Sequence, residues 1–306
     1  MSNTGGDPPL TRRQIRQVRQ IHERAQHTLV EPAPPKPASR AGRNLPAAIA
    51  VGLGLLGLLI LSLFVREEAF VVLVLLATSG GLWEFARALA SRDIRVPLLP
   101  LWVGNAGIVV CAYTAGPDAM LVAFFLTAGG VFVWRVLDGG GLGAVRDASA
   151  GILASAYVSF LAGFAILLLI QERGPWLVLA FVFAAVASDT GGYIAGVLLG
   201  RHPMAPSISP KKSWEGAAGS LLLAGAVGVG LSLLVLDAPW WVGLLLGAGA
   251  VITATVGDLA ESLLKRDLGV KDMGTLLPGH GGILDRLDSL LMTAPASYVV
   301  LTTFVS

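Results

Sequence analysis

Cysteine is almost absent from this chain of 306 residues, since Cys111 is the only one and lies within an apolar segment. One cysteine excludes a disulfide framework within the chain and a cysteine metal site. Charge is also scarce: Asp, Glu, Lys and Arg make up 14% of the residues, against about 25% in an ordinary soluble domain. The N-terminus lacks a short apolar core followed by a small-residue cleavage site, so we expect no cleaved signal peptide.

Apolar residues and glycine take the place of charge. Hydrophobic residues make up 54% of the chain, and there are 38 glycines, which suits helices that pack closely in lipid. Runs long enough to cross a hydrocarbon core of ~30 Å recur from Leu45 onward. The sequence therefore predicts an all-α, polytopic integral membrane protein with about nine transmembrane helices. The predicted spans are about 46–65, 69–90, 96–114, 118–136, 150–170, 175–199, 215–236, 240–263 and 284–304.

Lys and Arg are distributed unevenly between the two sides of these spans. If the N-terminal tail is cytoplasmic, 20 of the 22 fall on the cytoplasmic side, and only Arg66 and Arg173 fall outside it. This asymmetry follows the positive-inside rule and supports the parity of the spans. We predict a multi-pass protein of the cell (inner) membrane with a cytoplasmic N-terminus.

Composition divides the chain into three regions. Residues 1–45 form a basic, proline-rich cytoplasmic tail, which is either a short helix on an anionic membrane surface or a disordered segment. Residues 46–174 supply the N-terminal membrane helices. Residues 175–306 supply the C-terminal membrane helices, which we expect to carry the catalytic site.

The stretch from Gly257 to Ser289 places many ionisable groups between two apolar spans. Such groups cost several kcal/mol at a bilayer boundary unless they are paired or metal-bound, so they indicate a functional site. The acids of metal-ligand or base type are Asp258, Glu261, Asp272, Asp285 and Asp288, and the basic residues are Lys265, Arg266, Lys271, His280 and Arg286.

Helical spacing brings the acids of this stretch together. At about 100° per residue, Asp258 and Glu261 share one face of a helix, and Asp285 and Asp288 share a face of the next. Pro278 and three glycines between the two helices predict a tight turn. Carboxylates that converge from two helices, with lysines and arginines alongside, suit Mg²⁺ and the phosphate oxygens of a substrate. A loop whose charges pair only with one another is the alternative.

The sixth predicted span carries Asp189 and a run of small residues. Asp189 shares a helix face with Gly192, Gly196 and Gly200, and these glycines predict close packing against a neighbouring helix. Two roles are open for Asp189: binding a nucleotide group or a cation, and pairing with a lysine.

The next motif contains two adjacent lysines. Ser209 followed by Pro210 is typical of an N-cap and first helical position, so we expect a helix to begin there and its free N–H groups to face an anion. Lys211 and Lys212 would then lie in the first turn, where cations are disfavoured. A bound phosphate would remove that conflict, whereas lysines that only obey the positive-inside rule are the alternative. Glu84, inside the second span, is either a site residue or an ion-pair partner of Arg87.

The spacing of the charged stretch resembles the full signature of the phosphatidate cytidylyltransferases. From Ser262 to Asp288 the chain reads S-x-x-K-R-x4-K-D-x-G-x-x-L-P-G-H-G-G-x-x-D-R-x-D. Residues 189–196 and 209–216 are similar to two further family motifs in the same order. The resemblance therefore covers about residues 180–290, and the tail before residue 45 lies outside it.

This resemblance implies a specific reaction: CTP and phosphatidic acid give CDP-diacylglycerol and pyrophosphate. It implies Mg²⁺ as cofactor, allows a monovalent cation such as K⁺ in the same site, and suggests a homodimer. The metal-binding aspartates of the family fall on Asp258 and Asp285, and its conserved serine and lysine fall on Ser209 and Lys212. We expect the lipid bilayer as a partner and no nucleic acid.

The resulting hypothesis assigns catalysis to Asp258, Asp285 and Lys212, and metal binding to Asp258, Asp285 and Asp288. Asp288 is either a third ligand or a partner for Arg286. Substrate binding is assigned to Asp189, Ser209, Lys211, Lys212, Lys265, Arg266, Lys271, His280 and Arg286.

Other functions fit part of the pattern. A polyprenol or phytol kinase would also use CTP, and a cytidylyltransferase could act on an ether-linked lipid. A transporter predicts acids near the bilayer midplane and internal repeats, whereas these acids lie at one interface and no repeat is evident. A scaffold gives no reason for acids at lipid depth.

Overall fold

The computed structural model describes residues 45–139, 141, 143–274 and 281–305, with side chains from residue 52 onward. Predictions for the tail before residue 45, for His280 and for most of the glycine-rich turn fall outside these residues. Helices make up most of the described chain, and a two-stranded hairpin is its only sheet. The helices are α1 (Leu45–Val65), α2 (Glu67–Ala90), α3 (Leu98–Leu137), α4 (Ala144–Ala154), α5 (Leu161–Leu169), α6 (Gly174–Leu199), α7 (Trp214–Leu234), α8 (Trp240–Leu268) and α9 (Leu284–Phe304).

The prediction of an all-α, multi-pass membrane protein is confirmed. Within the described residues, seven helical segments are long and apolar enough to cross a membrane. One of them, Ala144–Leu169, runs through α4, a π-helical turn at Ser155–Phe160 and α5. The helix bounds agree with the predicted spans to within a few residues, except at α3.

Helix α3 contains two predicted spans. It has 40 residues, and at Gly116, just before Pro117, the backbone leaves the helical region with φ 80°. A Cβ atom added at Gly104 would collide with the Thr127 side chain, although a straight helix would separate these residues by about 35 Å. The chain therefore folds back at Gly116 into two legs that lie side by side. The count of nine spans stays a prediction, because the described side chains of α1 cover only Gly52–Val65.

The connecting segments gather at two ends of the helices. At one end, the Arg173 guanidinium donates to the carbonyl of Leu236, at 3.2 Å. At the other, Arg92 Nε donates to the Leu268 carbonyl, also at 3.2 Å. Both contacts join segments that the predicted topology places on the same side of the membrane.

The hydrophobic core lies where the helices from both halves of the chain meet. It includes Ile108, Ile166, Val178 and Leu246, all nearly or fully inaccessible to solvent. Helix α9 reaches this core through Ala294. The packing of α9 against this core therefore fixes how far along the helix bundle the acids at its N-terminus lie.

Helices α6, α7 and α8 pack through small residues. The seam predicted on α6 is confirmed: Gly192 faces the Ser220 hydroxyl, and Gly196 faces Gly216, both on α7. Between α7 and α8, a Cβ atom added at Gly243 would collide with the Gly228 backbone. Backbones this close form a three-helix frame with little room for adjustment.

The prediction that Ser209 caps a helix is wrong. Strand β2 (Ser209–Ser213) pairs antiparallel with β1 (Pro203–Ala205), and Ser209 lies opposite Ala205. Pro210 is compatible with this position because its missing N–H is tolerated at a sheet edge.

Helix α7 begins one residue after the strand. Its N-cap is Ser213, whose Oγ accepts the N–H of Gly216 at 3.1 Å. Lys211 and Lys212 therefore lie in extended backbone, which sends successive side chains to opposite faces. The predicted conflict between these lysines and a helix dipole does not arise.

Candidate active site

Three carboxylates from α8 and α9 meet at one end of the helices. Asp288 lies within hydrogen-bonding reach of both Asp258 and Glu261. The Glu261 side chain is almost fully buried, at 4% exposure. Carboxylates this close repel one another unless a proton or a cation lies between them. We call Asp258, Glu261, Asp285 and Asp288 the acidic network.

Two lysines supply its counter-charge. Lys212 Nζ lies 2.5 Å from Asp258 Oδ2. Lys265 Nζ bridges α8 and α9, at 2.9 Å from Glu261 Oε2 and 2.6 Å from Asp285 Oδ1. Lys212 therefore pairs with Asp258, and Lys265 links Glu261 to Asp285, while the catalytic roles of Asp258, Asp285 and Lys212 stay predictions.

The Asp285 carboxylate also accepts hydrogen bonds from the backbone before and after the predicted turn. Its Oδ2 accepts the N–H of Gly282 at 2.7 Å, and its two oxygens share the N–H of Met273 at 3.1 and 3.2 Å. Together with Lys265, these donors occupy most of the lone-pair sites of one carboxylate. The metal role predicted for Asp285 stays a prediction, and its observed contacts order the turn.

The structure shows the contacts of Glu84, which the sequence alone left open between a site residue and an ion-pair partner of Arg87. It is fully buried, and its Oε2 accepts the N–H of Leu284 at 2.9 Å, which caps α9. A Cβ atom at Gly274 or Gly282 would collide with the Glu84 carboxylate. No ion pair joins Glu84 and Arg87 among the described contacts, and the Arg87 guanidinium instead lies over the Trp83 ring. Glu84 therefore contacts both ends of the segment that contains the turn.

A polar cavity of ≈ 250 Å³ opens beside the acidic network. Asp189, Lys211, Lys212 and Asp258 line it together with small residues of α6 and α7. Asp189 Oδ2 accepts the hydroxyl of Ser289 at 2.9 Å, which ties α6 to α9. Two lysines and two carboxylates in one cavity suit a ligand that carries both phosphates and hydrogen-bonding groups.

Several predicted substrate residues lie away from this cavity. Ser209 lies on β2 and does not line it. The Arg266 guanidinium donates to the carbonyl of Ser207 and so fastens α8 to the hairpin loop. Lys271 and Arg286 are exposed near the turn. His280 lies outside the described residues.

The metal prediction rests on fewer carboxylates than expected. Among the described residues, no group of three or more Asp, Glu, His or Cys side chains is arranged to hold a metal. Mg²⁺ commonly takes one or two carboxylates and fills its other positions with water and substrate oxygens. Asp258 and Asp288 lie close together, and their predicted role as metal ligands stays a prediction.

Sequence reasoning missed Ser289 and also Tyr157, whose phenol lies near enough to Asp288 and Glu261 to feel their charge. Ser289 lies one helical turn after Asp285, so its spacing was a usable signal. Tyr157 lies within an apolar span and nothing nearby in the sequence distinguishes it. Glu84 did carry a signal, because an ionisable group inside a span marks a site.

Comparison with known proteins points to one family. The sequence model of the cytidylyltransferase family matches residues 46–304. A phosphatidate cytidylyltransferase of Mycobacterium leprae is 41% identical over 282 residues, which cover 87% of this chain and 90% of that protein. One of Synechocystis is 32% identical over 288 residues, covering 84% of this chain and 94% of that protein. One of Brucella suis is 41% identical over 145 residues, covering 46% and 54%.

Proposed function

The chain belongs to the cytidylyltransferase family, and we propose that it transfers the cytidylyl group of CTP to phosphatidic acid at the cytoplasmic face of the cell (inner) membrane. The products are CDP-diacylglycerol and pyrophosphate. The observation that carries this proposal is the polar cavity with Lys211 and Lys212, which adjoins the acidic network at the end of long apolar helices. A water-soluble triphosphate and a lipid phosphate can meet at such a place. The names of the relatives support the choice of substrates.

The cavity residues have distinct tasks in this proposal. Lys211 and Lys212 neutralise the phosphates of CTP, and Asp189 accepts hydrogen bonds from the nucleotide. Asp258 holds the Lys212 ammonium in place through their ion pair. Lys265 lies near enough to the acidic network to offset its charge as a second phosphate approaches.

The reaction itself needs little from the protein beyond holding the two substrates in line and neutralising the charge of their phosphates. A phosphate oxygen of phosphatidic acid attacks the α-phosphorus of CTP in line, and a new P–O bond forms. The bond between the α-phosphorus and the bridging oxygen breaks, so pyrophosphate leaves with the electron pair. A phosphate monoester loses its second proton with a pKa of about 6, so no strong base is required at neutral pH.

Mg²⁺ is part of the proposal, and the donor set fits it. Asp258 and Asp288 converge closely enough that a cation between them would relieve their repulsion, and hard oxygen ligands suit Mg²⁺. When bound, Mg²⁺ would neutralise charge on the phosphate oxygens. The family resemblance makes Asp285 a further candidate ligand. It also suggests a monovalent cation such as K⁺ as a second cofactor and a homodimer as the assembly.

CTP labelled at one of two positions tests the reaction. Purified protein is incubated with phosphatidic acid and CTP that carries ³²P at either the α or the γ position, with and without Mg²⁺. We expect α-label in the lipid, γ-label in pyrophosphate and no product without Mg²⁺. Label from the γ position in the lipid would instead indicate a kinase, and unlabelled lipid in both arms would contradict the proposal.

A further inference from the structure

A second cavity, of ≈ 240 Å³, lies on the opposite face of α8 from the polar cavity. The polar cavity contacts α8 at Thr255 and Asp258, whereas the second contacts it at Glu261 and Leu264, among others. At about 100° per residue the two sets of α8 contacts point roughly 180° apart. The acidic network therefore separates two cavities of different chemistry.

The second cavity is apolar except for a few polar atoms. Phe85, Leu153 and Leu264 line it together with Tyr157 and Glu261, and we call it the Tyr157 cavity. Among the described residues, the Tyr157 hydroxyl is buried and has no hydrogen-bond partner. An unsatisfied buried polar group costs about 1–3 kcal/mol, and a buried tyrosine hydroxyl usually has a partner. A buried donor without a partner, beside a cavity, indicates a ligand that accepts its hydrogen bond.

The location of Tyr157 connects the bilayer with the reaction site. Tyr157 lies on the π-helical turn, a feature often found at functional sites. Leu153 and Leu263, which also line the cavity, are 57% and 46% exposed and so border the lipid. On the inner side, the carboxylates of Asp288 and Glu261 are close enough to act electrostatically on the Tyr157 phenol.

The charges around the cavity restrict what can bind there. The cavity is lined by the carboxyl groups of Glu261 and Asp267 and by no basic residue among those described, so it offers an anionic group no counter-charge next to Tyr157. The phenol is a donor, so its partner is a neutral acceptor with apolar surroundings. The ester carbonyl of an acyl chain has this chemistry, whereas an ether-linked chain has no carbonyl.

We propose that the Tyr157 cavity holds the ester-linked glycerol region of the lipid substrate, with the Tyr157 hydroxyl donating to an acyl ester carbonyl. This assignment rests on the proposed function. It makes Tyr157 a residue that selects diacyl over dialkyl lipids. CTP then reaches the acidic network from the polar cavity, and the lipid reaches it from the Tyr157 cavity on the opposite face of α8.

Kinetics with two lipids test the assignment. We expect the wild-type protein to use dipalmitoyl phosphatidic acid with a kcat/KM about fivefold above that for the dihexadecyl ether analogue, the size of effect that one hydrogen bond supplies. Tyr157→Phe should remove this preference by lowering kcat/KM for the diacyl lipid alone, with the KM for CTP unchanged. Tyr113→Phe, far from the network, should keep it. Equal loss for both lipids, or no preference in the wild type, would overturn the assignment.

A binding measurement without CTP separates this inference from the reaction. In a Cys111→Ser background, a cysteine is placed at Leu153, which lines the cavity, or at Leu222, an exposed residue of α7. Diacyl phosphatidic acid should slow maleimide labelling at position 153 several-fold more than at 222, and Tyr157→Phe should weaken this protection. Equal labelling rates with and without lipid would overturn the cavity assignment even if CDP-lipid forms. Protection without any CDP-lipid would instead contradict the proposed reaction.

Discussion

The two sides of the candidate active site are held by different forces. On one side, Asp189 and Asp258 come from α6 and α8, which pack with α7 through glycine and other small residues, and Lys212 comes from the strand that leads into α7. On the other side, charged side chains fix the start of α9: Glu84 caps Leu284, and Lys265 pairs with Asp285. The first side is sensitive to added volume and the second to lost charge or hydrogen bonds. Substitutions that change only one of these properties can test this difference.

A larger side chain in the glycine contacts between α7 and α8 should lower the stability of the protein more than any other change proposed here. Gly243→Val places a branched side chain against the Gly228 backbone, where even a Cβ atom would collide. Overpacking of this kind costs about 3 kcal/mol or more when backbone must move. We expect most of the purified protein to aggregate at temperatures that the wild type survives, as measured by size-exclusion chromatography after heating.

A glycine of α7 that lies away from the contact with α8 serves as control. Gly230 has nothing within 4 Å of an added Cβ atom, so Gly230→Val should behave like the wild type in the same heating series. Similar stability of the Gly243 and Gly230 variants would show that the close backbone approach does not hold the frame.

Removing a charge from the network should abolish turnover while leaving the fold intact. Asp258→Asn keeps the shape of the side chain but loses the ion pair with Lys212 and a hard anionic ligand. We expect kcat to fall by at least about a thousandfold, with an unchanged elution profile in detergent. Asp237→Asn, which affects only an exposed pair with Arg173, is the control. Activity of Asp258→Asn within tenfold of the wild type would remove Asp258 from the chemistry.

Glu84 tests the polar side without touching a proposed substrate contact. Glu84→Gln keeps the volume and an acceptor for Leu284, but introduces an N–H₂ group against the backbone near Gly274 and Gly282. We expect kcat to fall by about tenfold with little change in the KM for CTP, because the acidic network is displaced. Hydrogen exchange at residues 281–285 should rise in parallel.

Controls distinguish positioning from general destabilisation in that experiment. Glu68→Gln, in the first turn of α2, should leave both kcat and exchange unchanged. A Glu84→Gln protein that is destabilised throughout, with exchange raised equally in α6 and α7, would contradict a specific role in positioning α9.

Sequence patterns were sufficient for most helix bounds and for the helix faces on which the acids lie. Span length set the helix bounds, and helical spacing placed Asp258 and Glu261 on one face. The position of Glu84 was not predictable, because its contacts with Gly274 and Leu284 join segments about 200 residues apart. Nothing local indicates which distant helix end a buried carboxylate will cap.

The hairpin shows a different limit. Ser209-Pro210 fits a helix start by local rules, yet Ser213-x-x-Gly216 fits one as well, and only pairing with Ala205 decides between them. The directions of the Lys211 and Lys212 side chains depend on whether this segment is a strand or a helix. Lys212 reaches Asp258 because the strand, not a helix, sets its direction.

Ser289 should give the smallest effect, because it joins the two sides by one hydrogen bond. Its hydroxyl donates to Asp189 on the glycine-packed side from a helix that the polar side positions. A hydrogen bond to a charged group contributes about 1.5 kcal/mol or somewhat more, and Asp189 keeps its cavity position through α6. Ser289→Ala should therefore raise the KM for CTP about threefold with kcat nearly unchanged, measured by initial rates of CDP-lipid formation. Ser297→Ala, two turns further along α9, is the control and should match the wild type. A fall in kcat as large as that of Glu84→Gln would mean that the two sides are not held independently, because one shared contact would then control both.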